Sequence, residues 1–165
     1  MIYILDAYNV IHKIRGLERA LDKDLRTARE ALIGFSARFA AARGGISKII
    51  LVFDGRSEFR DLPHRVPPKV ELIFSETGED ADERIITVLE NLPRNARACV
   101  VSDDNFVRNQ ARAHQTPVIP VSEFEALIRH AEQKGKKTAP PASFSLPSAV
   151  ADKITDDYKK QLGIK

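Results

Sequence analysis

Short, unbroken apolar runs that stop on aspartate constrain this chain more than any other feature. The stretch Ile2 to Val10 opens with Ile-Tyr-Ile-Leu and meets Asp6; Ile49 to Phe53 meets Asp54; Ala98 to Val101 leads to Asp103 and Asp104. Runs this short, with no helical periodicity, read as strands buried on both faces in the middle of a parallel sheet. A carboxylate at the rim of such a core costs several kcal/mol, about as much as a mutation that unfolds a marginal domain, unless a cation or hydrogen-bond donors compensate it. Asp6 therefore needs a reason. Capping of the segment that begins at Ala7 is one, and Asn9 offers a second oxygen from the same turn.

The stretches between the strands have helical spacing. Leu25, Ala28, Leu32, Phe35 and Phe39 predict a helix over Asp24 to Ala42, capped by Asp22 or Asp24 and ended by Gly44-Gly45. A short polar stretch is expected before it. The second strand spans Ile46 to Phe53 and a third Val70 to Phe74, with Gly55 to Pro68 a proline-broken loop between them. Helices are expected from about Asp80 to Asn91 and from Asp104 to His114. A short strand, Pro117 to Val121, precedes a helix from Ser122 to about Lys134, with Ser122 and Glu125 as its capping box. This alternation predicts βαβ units and a three-layer α/β/α sandwich around a parallel sheet.

Composition bounds the class. With 43% apolar and 30% charged residues the chain is globular rather than disordered, and no apolar run approaches the roughly 18 residues of a membrane span. The chain enters a strand at once, without a basic leader, so a cytoplasmic protein is expected. The one cysteine, Cys99, sits in a strand and reads as a small core residue. From Ala131 onward there are seven Lys and four acidic residues, a net +3 that equals the charge of the whole chain, so the first 130 residues are neutral. The expected division is a domain over residues 1–134 and a basic Pro/Ser-rich tail over 135–165, with a possible closing helix from Asp152 to Leu162.

In a parallel sheet all strands deliver their C-terminal ends to one edge, where such folds bind ligands. That edge gathers Asp6, Asp54 and Asp103. Asp82 joins them, because on its helix it shares a face with Ile85, Ile86 and Leu89, while Glu83 is turned about 100° away. Asp80 and Glu83 suit a capping box, and Asp104 suits the cap of the next helix. Four carboxylates this close cannot all stay ionised without a cation. An all-oxygen set without His or Cys suits Mg²⁺ or Mn²⁺, and the chemistry that needs it is attack of water on a phosphodiester. Arg56, Arg60 and Arg65, in the loop after Asp54, are placed to meet a nucleic-acid backbone.

Four motifs in this order and spacing, Leu-Asp-Ala-Tyr-Asn-Val-Ile (5–11), Val-Phe-Asp-Gly (52–55), Glu-Asp-Ala-Asp-Glu-Arg-Ile (79–85) and Val-Ser-Asp-Asp (101–104), resemble the NYN domain, in the YacP-like branch of the PIN-like nucleases. The resemblance covers residues 1 to about 130. It implies a PIN-like fold and a metal-dependent RNA-cleaving enzyme of bacterial RNA turnover, with the ribosome as a possible partner. It implies Asp6, Asp54, Asp82 and Asp103 as the catalytic metal ligands, Asp104 as a further ligand, and Asn9 as the residue that orients ligand or substrate.

Other readings of an aspartate-tipped strand fit less well. A haloacid-dehalogenase-type phosphatase needs a second Asp two residues after the first, where this chain has Tyr8. A receiver-like domain needs an acidic pair and a Lys that are absent, and no Gly-rich phosphate loop occurs. The remaining alternative is a non-catalytic RNA- or ribosome-binding module of the same fold, although such a module gains nothing from acids facing phosphates.

Overall fold

The computed structural model describes residues 1–55, 65–76, 78–93 and 95–138. The aspartate-tipped runs are strands: β1 (Ile2–Asp6), β2 (Lys48–Phe53) and β4 (Ala98–Val101), with β3 (Val70–Phe74) and a two-residue β5 (Val118–Ile119). All pair in parallel, in the order β3-β2-β1-β4-β5. From β1 the chain winds outward to β2 and β3, then returns to the other side of β1 for β4 and β5. The strand order reverses between β1 and β4, which makes the C-terminal ends of those two strands the switch point of the sheet.

Alternation along each strand divides the core in two. Tyr3, Leu5, Ile49, Leu51, Phe53, Cys99 and Val101 face one side, where they meet α3 (Leu25–Ala42) and α6 (Val121–Thr138) through Leu32, Phe39, Phe124 and Ile128. Ile4, Ile50, Val52 and Val100 face the other, against α4 (Ala81–Glu90) and α5 (Asn105–Ala113) through Ile85, Val88, Leu89 and Val107. Neighbouring residues of one strand thus belong to different layers, giving the expected three-layer sandwich. Ile4 and Leu5 are both fully buried, so truncating either to alanine costs about 2–5 kcal/mol from a different layer of the core.

β2 begins at Lys48 rather than Ile46 and β5 is only Val118–Ile119 rather than Pro117 to Val121, and two parts of the chain differ further from expectation. The polar stretch after β1 is a pair of helices, α1 (Ala7–Lys13) and α2 (Arg15–Leu21), that bury Ala7, Val10, Ile11 and Leu17. The first strand stops at Asp6 as expected, and Asp6 caps the helix that starts at the next residue. At the other end, α6 begins at Val121 rather than Ser122, and the cap comes from a distant side chain: Asp103 Oδ1 accepts the Val121 N–H at 3.2 Å. The cap of α3 is as expected, with Asp24 Oδ1 accepting the Thr27 N–H.

Contacts divide the chain after Gly135. The sheet and its helices form the unit Met1–Gly135, and α6 continues to Thr138. The expected linker and closing helix of the tail lie outside the described residues, as do residues 56–64 of the loop after β2. Among the described residues no helix is long and apolar enough to cross a membrane.

Candidate functional site

Asp6 is the last residue of the central strand and also the N-cap of α1, and it is only 7% exposed. Both of its oxygens are committed. Oδ1 accepts the Asn9 backbone N–H, and Oδ2 accepts the Ser102 hydroxyl, each at 3.2 Å. Ser102 is fully buried one residue past β4, and its Oγ in turn accepts the Asp104 N–H at 3.0 Å. The Asn9 side chain crosses the same gap, its Oδ1 accepting the Asp103 N–H at 3.2 Å. The ends of β1 and β4 are thereby tied together at the switch point.

The same device recurs one strand over. Ser75, buried one residue past β3, donates its hydroxyl to Asp54 Oδ1 at 3.0 Å and accepts the Gly55 N–H at 2.9 Å. Gly55 has φ +94°, a region that L side chains rarely adopt, and this turn aims its N–H at the serine. Neither serine stands out in the sequence as functional. The available signal is a small polar residue directly after an apolar strand, in Phe74-Ser75 and Val101-Ser102.

The remaining acids come from two helix starts. Asp104 caps α5, its Oδ1 accepting the Phe106 and Val107 N–H groups at 2.7 and 3.1 Å. Asp80 caps α4 by accepting the Glu83 N–H at 2.8 Å, and Asp82 stands in the first turn of that helix, half-buried. Acidic side chains are favoured at both places by the helix dipole.

Electrostatics shows which carboxylates share one field. The Asp6 carboxyl is pushed up from its ordinary value by burial and by the charges of Asp104 and Asp54, against the opposing pull of its bonds from Asn9 and Ser102. Asp82 is pushed up to about 6, by burial first and then by Asp104, Asp6, Asp80 and Asp54. The charges of Asp104 and Asp54 thus act on both Asp6 and Asp82, and Asp6 and Asp80 also act on Asp82. Asp103 is not among the acids that raise either group; its oxygen is spent on the start of α6. Asp104, whose Oδ1 likewise caps a helix, is among the charges that raise Asp6 and Asp82.

Carboxyls that raise one another mark a site short of positive charge, and oxygen ligands of this kind fit a hard divalent ion. Among the described residues, no three His, Cys, Asp or Glu side chains stand close enough to hold a metal between them as they are. Mg²⁺ does not require such a cage, since it usually takes one or two carboxylates, several waters and substrate phosphate.

Tyr8 borders the site, next to a buried arginine. Tyr8, in the first turn of α1, accepts hydrogen bonds from Nε and Nη2 of Arg29, which is 2% exposed and lies against the Tyr8 and Phe53 rings. Of the loop arginines, Arg65 is described and exposed, and Arg56 and Arg60 lie outside the described residues.

The fold has relatives among solved structures. The crystal structure of Rae1 (YacP) from Bacillus subtilis is 22% identical with a TM-score of 0.68, over 99% of this chain and 95% of that one. A crystal structure of a tryptophan-to-leucine mutant of the same Bacillus subtilis protein is 24% identical with a TM-score of 0.66, over 82% and 79%. Comparison with curated proteins found no match. The sequence profile of the YacP-like NYN domain matches residues 3–163, which takes in all four motifs and extends past residue 130, where the resemblance seen in the sequence stops. The chain belongs to the YacP-like NYN domain family, a family of nucleases.

Proposed function

We propose that this protein is a divalent-metal-dependent endoribonuclease that hydrolyses phosphodiester bonds of single-stranded RNA at the acidic edge of its sheet, in bacterial RNA turnover. The observation that carries the reading is that Asp6, Asp54, Asp82 and Asp104, from two strand ends and two helix starts, act on one another's charge: burial first, and then this repulsion, raises Asp6 and Asp82. A protein that merely bound RNA would be repelled by this set. Asp6, Asp54, Asp82 and Asp104 would hold Mg²⁺ or Mn²⁺. Bound there, the ion supplies an activated water and neutralises charge on the scissile phosphate.

The chain's own contribution is position. Ser102 and Asn9 fix both oxygens of Asp6, and Ser75 fixes one oxygen of Asp54. Carboxylates whose rotamers are locked by second hydrogen bonds need no reorganisation when substrate arrives. Arg65, with Arg56 and Arg60 of the same loop, would contact the RNA backbone. The cytoplasm and association with the ribosome complete the proposal, and cosedimentation with ribosomes tests the latter.

The decisive experiment is cleavage of a labelled single-stranded RNA with Mn²⁺ or Mg²⁺, beside EDTA and Asp6→Asn controls. Cutting is expected with metal and is lost in both controls. A folded Asp6→Asn variant with full activity overturns the mechanism. Tight RNA binding without cutting at any metal concentration favours the non-catalytic RNA- or ribosome-binding module.

A further inference from the structure

The aromatic side chains of this protein are not distributed evenly. Among the described residues, Tyr3, Tyr8, Phe35, Phe39, Phe53, Phe74 and Phe124 all belong to or pack against the larger core cluster. Phe106 belongs to neither cluster and is 49% exposed. Among the described residues the other exposed large apolar side chain is Met1, at the opposite edge of the sheet, next to the start of β1. A single exposed phenylalanine on most surfaces needs no explanation. The position of this one is distinctive: it follows Asp104 by two residues, and its own N–H is bonded to the Asp104 carboxylate at 2.7 Å.

The helix that carries it is well anchored. Asp104 caps its start, and Val107 and Ala111 are fully buried against the sheet. Phe106 is thus held out from a fixed backbone at the rim of the acidic site. One helical turn on, at i+3 and i+4, the same face continues with Asn109 and Gln110, whose amides both donate and accept hydrogen bonds, and α5 contains no acidic residue at all. A polyanion leaving the acidic edge along this face meets no carboxylate of α5.

We infer that Phe106 is the stacking platform for an unpaired base of the RNA substrate next to the scissile phosphate, and so helps select single-stranded over paired RNA. The inference rests on the nuclease reading for its substrate class. Every base has a face that stacks on an aromatic ring, so the contact is tolerant of sequence. A base inside a duplex has both faces covered by its neighbours and is not available to it.

The chain contains no tryptophan, so Phe106→Trp creates a single fluorescent reporter at this point. The experiment has two arms. In the first, cleavage of a short single-stranded RNA is followed for wild type, Phe106→Ala, Phe106→Leu and Phe106→Trp. In the second, the emission of Phe106→Trp in an Asp6→Asn background is titrated with the same RNA, with its duplex, and with an abasic oligonucleotide of equal length. We expect alanine and leucine each to raise KM about ten-fold, by more than they change kcat, and tryptophan to restore it. The reporter should be quenched saturably by the single strand and much less by the duplex or the abasic strand. Unchanged KM in Phe106→Ala, or emission that no oligonucleotide moves while RNA is still cut, overturns the stacking role and leaves Phe106 for contact with a protein. Saturable quenching without any cutting by wild type keeps the stacking role and overturns the nuclease reading instead. A protein that neither cuts nor binds the single strand overturns both.

Discussion

Asp6 and Asp54 end neighbouring strands and are held by the same device, yet their surroundings differ. Each accepts a hydroxyl from a buried serine one residue past the flanking strand, and each serine also accepts a backbone N–H from the turn beside it. Asp6 is 7% exposed and has both oxygens engaged, whereas Asp54 is exposed and has one oxygen bonded to Ser75. The position in the sheet accounts for the difference. Both strands are flanked on either side, but Asp6 lies within β1 and is closed off by α1 from the next residue, while Asp54 lies one residue past β2 in a turn that opens at Gly55. A clamped carboxylate in a buried setting is costly and rigid, and one in an exposed setting is cheap and adjustable. The first kind suits a fixed anchor for charge, and the second suits a group that moves to meet a ligand.

If Asp6 is the anchor, its neutral isostere should have the largest effect. Asp6→Asn is expected to lower cleavage on the order of a thousand-fold or more, while the melting temperature in metal-free buffer stays level or rises because a buried, mutually repelling charge has gone. Asp54→Asn should cost less activity, and equal losses would remove the distinction between anchor and adjustable ligand. The neighbouring pair Asp103 and Asp104 gives the next largest contrast. Asn keeps a carbonyl oxygen able to cap α5 or α6, so both variants should fold. Asp104→Asn, which removes a charge from the group around Asp6 and Asp82, is expected to reduce kcat/KM about a hundred-fold and more than Asp103→Asn does. The reverse order would restore Asp103 to the ligand set.

The serines test the comparison more finely. Ser102→Ala leaves a buried carboxylate oxygen and the Asp104 N–H each short of a partner, at a cost of about 1–3 kcal/mol in stability. Loss of a group that orients a ligand costs about ten- to a hundred-fold in activity. Ser75→Ala frees a carboxylate that solvent already reaches, and should fall at or below the lower end of that range. Parallel kcat/KM and urea-melt measurements on the two variants check the order.

Much of this arrangement is legible in the sequence, and the exceptions have physical causes. Short apolar stretches show in one strand alone, so β4, buried throughout, and the half-buried edge strand β3 carry their observed boundaries, Ala98–Val101 and Val70–Phe74, in their residues. The acidic edge follows from topology. The two short helices after β1 do not, because seven-residue helices stand by tertiary burial rather than by a readable period. The serine clamps escape a sequence reading because each bond joins residues far apart, 96 positions for Ser102 and Asp6 and 21 for Ser75 and Asp54. Asp103 and Asp104 pose a different problem: two consecutive aspartates in one turn point to different neighbours, and no pattern within the turn says which one turns inward. The contact that distinguishes Asp103 is with Val121, 18 positions on, whose N–H its Oδ1 accepts.

The smallest expected effect concerns proton linkage at Asp82, and it separates the field of the site from the architecture of the fold. Its folded-state value of about 6 lies above that of an aspartate in an unfolded chain, so the folded protein binds the proton more tightly. The stabilisation this gives is complete below about pH 4 and is lost as the pH rises through about 6. Asp6 is shifted in the same direction. Metal-free protein should therefore lose melting temperature between about pH 4.5 and 7.5 relative to Asp82→Asn. Solvent screening at this half-buried position limits the difference to a few degrees. Mn²⁺ at about pH 7.5 should remove the deficit, since a cation among ionised carboxylates supplies what the proton supplies at low pH. Parallel profiles for wild type and Asp82→Asn would mean that Asp82 does not share the field of the other acids. The site would then reduce to the two clamped strand ends and Asp104.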